Sequence, residues 1–174
     1  MLWSKRLWAV VLVGVLVAGL LVGFGAGGEA VAKEPRATLR KVMIPAAAFI
    51  PTQDALDYDN DGFMLSVVSG DGMFAAPLWF PVPEVIIRKI TLIAFDNSAA
   101  GRICVDLYRA EPLRADDWYA GAVCTADSTD DPQRTVTTAL SHRRVNTVNI
   151  GPYLWADIGA PNMSLYGVQV VYSY

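Results

Sequence analysis

The stretch that decides the fold is Ile103–Thr125, ICVDLYRAEPLRADDWYAGAVCT, which holds both cysteines of the chain. Its two halves alternate apolar and polar residues on either side of a polar centre, a pattern typical of a β-hairpin. Folding the segment about Arg114 places Cys104 opposite Cys124. Opposite residues on antiparallel strands share a face, so we predict a disulfide between them. The alternative is two unpaired thiols.

The same folding sets the register of the whole hairpin. Asp106 lies opposite Ala122, and Leu107 lies opposite Gly121. Continued along both strands, this register pairs Tyr108 with Ala120. Since side chains alternate along a strand, the disulfide is predicted on the exposed face of a sheet.

The rest of the chain also has the periodicity of strands. The strongest strand pattern is 85–96, and the segment 165–174 alternates cleanly, whereas 42–50 contains a proline typical of an edge strand. The apolar segment 73–80, with several prolines in and after it, is also predicted as a short strand at a sheet edge. Turn residues separate eight to ten such segments, and no convincing helix follows residue 32. We therefore predict an all-β fold, an antiparallel β-sandwich with a jelly-roll-like topology, after an N-terminal apolar signal or anchor helix. An immunoglobulin-like sandwich is the second choice.

The N-terminus has the pattern of an export signal. Lys5 and Arg6 precede an apolar run, and a small-residue end at 30–32 follows it. We expect a signal peptide over 1–32, a spacer over 33–40 and a β-sandwich domain over 41–174. The alternative is an uncleaved anchor, in which residues 7–28 contact the membrane, since about 20 apolar residues span a bilayer.

Charge and cysteine content narrow the functional classes. Removing Lys5 and Arg6 from the 14 basic residues, and Glu29 from the 17 acidic residues, leaves 12 basic and 16 acidic side chains. This mildly acidic balance lacks the basic patch that nucleic-acid binding requires. A disulfide persists in oxidising compartments, so export and the paired cysteines agree with each other. We expect a secreted protein, extracellular or periplasmic.

Four short motifs carry a resemblance to a known group of proteins. They are YDNDG, a strand leading into DNS, a strand ending in LYR and a C-terminal LYG strand. In these motifs the chain resembles a group of secreted bacterial β-sandwich proteins over nearly all of its exported part. The resemblance implies the sandwich fold and the exported location, and it brings no activity and no catalytic residues.

An acidic loop is a candidate metal site. Asp57, Asp59 and Asp61, followed by Gly62, match the first six positions of a calcium-binding loop. The helical version of that loop needs a glutamate at its twelfth position, which here is Val68. The sequence therefore leaves a calcium site in a sandwich loop as one hypothesis, and a solvated Asx-rich turn as the other.

Large aromatic residues are candidates for a sugar-stacking platform. An aromatic ring packs well on the face of a pyranose, but such side chains also fill cores. We expect at least one of Trp118 and Trp155, which both lie in predicted strands, to be buried. The candidate platform residues are Trp79, Trp118, Tyr119, Trp155 and Tyr166.

No catalytic residues can be assigned from the sequence. His142 is the single histidine, in a polar turn, and no G-x-S-x-G nucleophile motif accompanies it. The acidic pairs 116–117 and 130–131 are adjacent in sequence, so they point apart in an extended chain and do not form the facing pair of a glycosidase.

We therefore expect a non-catalytic binding or structural module at the cell exterior. Its ligand is not identified by the sequence, and a glycan or a surface protein is the expected partner. The alternatives are a carbohydrate-binding module with a structural calcium, a subunit of an extracellular assembly, and a hydrolase.

Overall fold

The structure, a computed structural model, describes residues 37–126 and 133–174. These residues belong to one compact unit built from β-strands, with a single-turn 3₁₀ segment at Ala46–Ala48 and no α-helix in the ranges described. In those ranges, no helix has the length and apolar character needed to cross a membrane. The predicted signal or anchor at 1–32 lies outside the described residues.

The strands alternate in burial because the sequence alternates apolar and polar residues. They are β1 (Leu39–Pro45), β2 (Ile50–Pro51), β3 (Tyr58–Asn60), β4 (Leu65–Val67), β5 (Gly72–Pro77), β6 (Glu84–Asp96), β7 (Ile103–Glu111), β8 (Asp116–Cys124), β9 (Gln133–Thr137), β10 (Arg144–Asn146), β11 (Gly151–Ile158) and β12 (Met163–Ser173).

The strands form two antiparallel sheets. In the seven-stranded sheet, β6 and β12 pair at the centre, β9 and β10 pair with the outer side of β6, and β1 and the β3–β4 hairpin pair with the outer side of β12. The five-stranded sheet has the order β2-β5-β11-β7-β8. The predicted edge strand at 42–50 is confirmed in its first part, since β1 pairs only with β12.

One hydrophobic core lies between the sheets. The five-stranded sheet contributes Phe74, Leu107 and Leu154, and the seven-stranded sheet contributes Leu92 and Val168, all fully or almost fully buried. The predicted antiparallel sandwich is therefore confirmed. The sequence prediction was wrong for 73–80, which was expected at a sheet edge. Its strand, β5, lies between β2 and β11, because the short strand β2 covers its outer side.

The hairpin prediction is confirmed for its first four pairs. Cys104 and Cys124 form a disulfide, and the pairing continues inward to Leu107 and Gly121. Beyond that point the register shifts by one residue, so that Tyr108 pairs with Tyr119. This shift is a β-bulge, and it changes which side chains reach the sheet surface.

Candidate functional site

The outer face of the five-stranded sheet, meaning the face whose side chains point away from the core, collects aromatic and acidic residues. Inward positions of β11 are Leu154, Ala156 and Ile158, all buried. The alternate positions Tyr153 and Trp155 are half-buried and therefore point outward. The neighbouring strands follow the same alternation.

Three tyrosines form a row across this face, which we call the tyrosine row: Tyr153 on β11, Tyr108 on β7 and Tyr119 on β8. The register pairs Tyr153 with Tyr108 and Tyr108 with Tyr119. The rings of Tyr108 and Tyr153 stack at a centroid distance of 5.4 Å and an interplanar angle of 14°. Tyr119 meets Tyr108 edge to face at 5.8 Å and remains 52% exposed.

The β-bulge in β8 makes this row possible. The register moves from the Leu107–Gly121 pair directly to the Tyr108–Tyr119 pair, which leaves Ala120 as the extra residue. Without the bulge, Tyr108 would face Ala120, and Tyr119 would point to the other side of the sheet. The bulge therefore brings the third ring onto the outer face.

Trp155 lies in the next row of the same face. The register pairs it with Ala75 on β5 and with Asp106 on β7. Directly opposite residues have Cβ atoms about 5 Å apart, so both are immediate neighbours of the indole. The alanine side chain is too short to cover an indole ring, so Trp155, which is half-buried, has only a small direct neighbour on its β5 side.

Aspartates lie among these rings. Asp106 and Asp157 occupy outward positions on β7 and β11, and Asp117 lies near the end of the tyrosine row. The carboxylate of Asp117 accepts a hydrogen bond of 3.0 Å from the hydroxyl of Tyr153. Together with burial, which is the larger cause, this bond raises the pKa of Tyr153 to about 12, so the phenol stays protonated at neutral pH.

The two other aspartates of this face, Asp106 and Asp157, have carboxyl groups whose pKa is raised above the ordinary value. Burial raises the pKa of the Asp106 carboxyl, and the charge of Asp157 raises it further. Burial also raises the pKa of Asp157, with a further contribution from Asp71, while Arg102 acts in the opposite direction. Repulsion between carboxylates that are partly removed from water therefore disfavours the charged state of both groups.

The structure separates the predicted platform residues. Tyr119 and Trp155 lie on the outer face, whereas Tyr166 lies on β12 of the other sheet and contacts Phe63 at 5.2 Å. Trp79 follows β5 and is 78% exposed, beyond the last paired residue of that strand. Tyr108 and Tyr153 were missed as platform residues. The alternation of apolar and polar residues along β7 and β11 is the signal that would have placed both at outward positions.

Trp118 lies at the corner where β8 begins, away from the tyrosine row. Its ring meets the imidazole of His142 edge to face at 5.1 Å. The backbone carbonyl of His142 accepts a hydrogen bond of 3.3 Å from Arg109. His142 therefore packs at this corner. Neither Trp118 nor Trp155 is buried, so the expectation that one of them lies in the core was wrong.

The acidic loop has a local structural role. One carboxylate oxygen of Asp61 accepts hydrogen bonds of 2.8 Å from the backbone N–H groups of Phe63 and Met64, and the side chain of Asn60 accepts one from Gly62. These contacts are those of an Asx turn. No cluster of three or more acidic, histidine or cysteine side chains suited to a metal occurs in the described ranges. Calcium binding by Asp57, Asp59 and Asp61 stays a prediction.

A cleft borders the end of the outer face. It has a volume of about 320 Å³ and lies between the β7–β8 turn and the turn before β11. The residues that line it include Glu111, Arg114 and Asn149. Gly151 on β11 pairs with Ala110 on β7, and both residues lie directly beside these turns. The cleft therefore lies at the end of the sheet that carries the tyrosine row.

Comparisons with known proteins give only distant structural likenesses. No family model matches the chain, and no curated protein gives a significant match. The chain is similar to the C-terminal family 6 carbohydrate-binding module of a laminarinase from Zobellia galactanivorans, with 11% identity over 75% of this chain and 98% of that one and a TM-score of 0.48.

Two further structures give comparable values. A family 6 module from Clostridium stercorarium, in complex with cellobiose, has 9% identity over 73% of this chain and 90% of that one, with a TM-score of 0.47. A family 29 carbohydrate-binding module from Piromyces equi has 10% identity over 78% and 91%, with a TM-score of 0.45. At these scores the likenesses assign neither a family nor a function to the chain.

Proposed function

We propose that this chain is a non-catalytic β-sandwich module of the cell exterior that binds carbohydrate on the outer face of its five-stranded sheet. The observation that carries the proposal is the combination of a half-buried indole, a row of three tyrosines and three carboxylates on one face. Binding sites for small polar molecules combine aromatic surface with a few polar groups that fix orientation.

Each chemical group on this face suits a sugar. The C–H face of a pyranose packs on an aromatic ring, and the exposed ring of Tyr119 and the indole of Trp155 beside the small Ala75 suit such packing. Carboxylates accept hydrogen bonds from sugar hydroxyls, and Asp106 lies beside Trp155. Rigid strands hold all of these side chains, so little conformational entropy is lost when a ligand binds.

The location and the finer fold belong to the same proposal. The Cys104–Cys124 disulfide is of the kind that persists outside the cytosol. The apolar pattern of 1–32 supports export of the chain. A jelly-roll-like topology is supported by the chain path, since β5, β7 and β11 belong to one sheet while β6 and β12 belong to the other.

The test is binding of the full chain to a panel of polysaccharides by affinity electrophoresis, followed by calorimetry on the best ligand. Trp155→Ala and Tyr119→Ala are each expected to weaken binding by about tenfold or more. Phe63→Ala, which removes an exposed aromatic ring beside the other sheet, is the matched control and is expected to bind as the wild type does. No binding to any polysaccharide, or equal loss in the control, would contradict the proposal.

A further inference from the structure

The charged groups of the outer face are mostly carboxylates, and this narrows the class of carbohydrate that the face can bind. Its paired outward positions carry the carboxylates of Asp106, Asp157 and Asp117. The charge of Asp71, which directly precedes β5, acts on Asp157, and the cation that acts on Asp157 is Arg102, just before β7. Charges of this face therefore sum to a negative surface around the aromatic rings.

Trp155 and Asp106 form the centre of this pattern. They are direct cross-strand neighbours, so the indole and the carboxylate lie within reach of one small ligand group. An ammonium placed there gains a cation–π interaction with the indole and an ion pair with the carboxylate. A neutral hydroxyl gains only a hydrogen bond, and a uronate carboxylate is repelled.

We infer that the outer face selects saccharides with free protonated amino groups, such as glucosamine oligomers, over neutral and acidic sugars. The inference rests on the proposed carbohydrate-binding function and adds the ligand class to it. The geometry that carries it is the Trp155–Asp106 pair, with the small Ala75 on the other side of the indole and with Asp157 in the next row.

The electrostatics of the face are consistent with a cationic ligand. The pKa of Asp106 is raised by burial and by Asp157, and that of Asp157 is raised by burial and by Asp71 and lowered by Arg102. A bound ammonium offsets the mutual repulsion of the carboxylates, and thereby favours their charged forms. Tyr108, whose pKa is raised by burial and by the charges of Asp106, Asp117 and the neighbouring Tyr119, remains neutral beside them.

The experiment compares three hexasaccharides that share one β-1,4 backbone. They are a glucosamine hexamer, its N-acetylated form and a glucose hexamer, each titrated calorimetrically into the full chain at a mildly acidic pH that keeps the amines protonated. The expected result is binding of the glucosamine hexamer at least about tenfold tighter than either of the others. Asp106→Asn is expected to remove most of this preference, while Trp155→Ala weakens binding of all three.

Glu84→Gln is the matched control, because it removes the same single negative charge at an exposed position of β6 in the other sheet. It is expected to keep the preference. Equal affinity for the three hexamers overturns the inference and leaves the carbohydrate-binding function standing. An equal effect of Glu84→Gln also overturns it, since the preference would then reflect net charge alone. Failure of all three ligands, and of every polysaccharide in the panel, contradicts the proposed function itself.

Discussion

The hydroxyl of Thr125 donates a short hydrogen bond to the buried carboxylate of Asp96, and this contact joins the two sheets. Asp96 ends β6 in the seven-stranded sheet, whereas Thr125 directly follows β8 in the five-stranded sheet. The same hydroxyl accepts a hydrogen bond of 3.0 Å from the backbone N–H of Ile103, and the second oxygen of Asp96 accepts one of 3.2 Å from Ser98. This small network satisfies polar groups that would otherwise be buried without partners.

Thr125→Val is expected to lower the free energy of unfolding by about 2 kcal/mol, because it preserves shape but removes one hydrogen bond from a buried carboxylate and one acceptor from a backbone N–H. The measurement is urea unfolding followed by circular dichroism. The control is Thr138→Val at an exposed position just after β9, which is expected to change stability little. Equal stability of Thr125→Val and the wild type would show that the contact contributes nothing to the sandwich.

Reduction of the Cys104–Cys124 disulfide is expected to destabilise the domain at neutral pH. The domain is expected to stay folded, with the register of the hairpin unchanged. The bridge closes a loop with a sequence separation of 20, and in the chain-entropy account such a loop contributes about 3 kcal/mol. Thermal unfolding with and without a reductant measures the effect. The Cys104→Ala/Cys124→Ala double variant is the control, since it should match the reduced wild type and should not respond to the reductant.

Asp106→Asn is expected to stabilise the domain near neutral pH. The folded-state pKa of Asp106 lies above its ordinary value of 3.8 because of burial and Asp157, so the charged form is disfavoured in the folded state. The wild type therefore loses stability as the pH rises through that raised pKa, and the neutral amide avoids the loss. The site is partly exposed to solvent, which limits the gain to about 0.5 kcal/mol.

Unfolding at several pH values tests this prediction. The difference between Asp106→Asn and the wild type should shrink as the pH falls and should vanish below the ordinary value of 3.8, where both states are protonated. A gain that persists in acid would mean that the effect arises from packing and not from charge. If the same variant also binds the ligand more weakly, Asp106 contributes to binding although its charge lowers the stability of the domain.

The hairpin shows how far the sequence predicts this structure and where it stops. Strict alternation predicts the disulfide and the outward position of Asp106, since both depend only on the register near Cys104. The same rule carried further pairs Tyr108 with Ala120 and turns Tyr119 inward. The position of a bulge depends on packing against distant segments of the chain. Here Leu140 and the preceding Ala139 lie against Gly121. Local periodicity contains no information about that contact.

The aromatic residues show the same limit. The large aromatic residues are recognised in the sequence by type, but the face that they share depends on strand order. Strand order places β11 beside β7, although Tyr108 and Tyr153 are 45 residues apart along the chain. Non-local pairing of this kind cannot be obtained from a single sequence by alternation. Trp118 and Tyr166 were grouped with Trp155 for their chemistry, and the topology separates them.

Gly121 is expected to be the residue on which the bulge, and with it the tyrosine row, depends. Its φ of 153° lies in a region that side chains disfavour, and an added Cβ would lie 2.7 Å from Leu140 and 3.0 Å from the carbonyl oxygen of Ala139. Gly121→Ala is therefore expected to cost about 1–3 kcal/mol of unfolding free energy and to change the near-ultraviolet circular dichroism of the coupled tyrosines.

Gly151→Ala is the matched control for this prediction, because Gly151 begins β11 in the same sheet and an added Cβ there meets no atom within 4 Å. It should leave both the stability and the tyrosine signal close to those of the wild type. If Gly121→Ala behaves like Gly151→Ala, the register shift does not need a glycine, and Tyr119 is held on the outer face by its contact with Tyr108. If only Gly121→Ala loses the signal, the glycine is what allows the extra residue in β8 to turn Tyr119 onto the outer face.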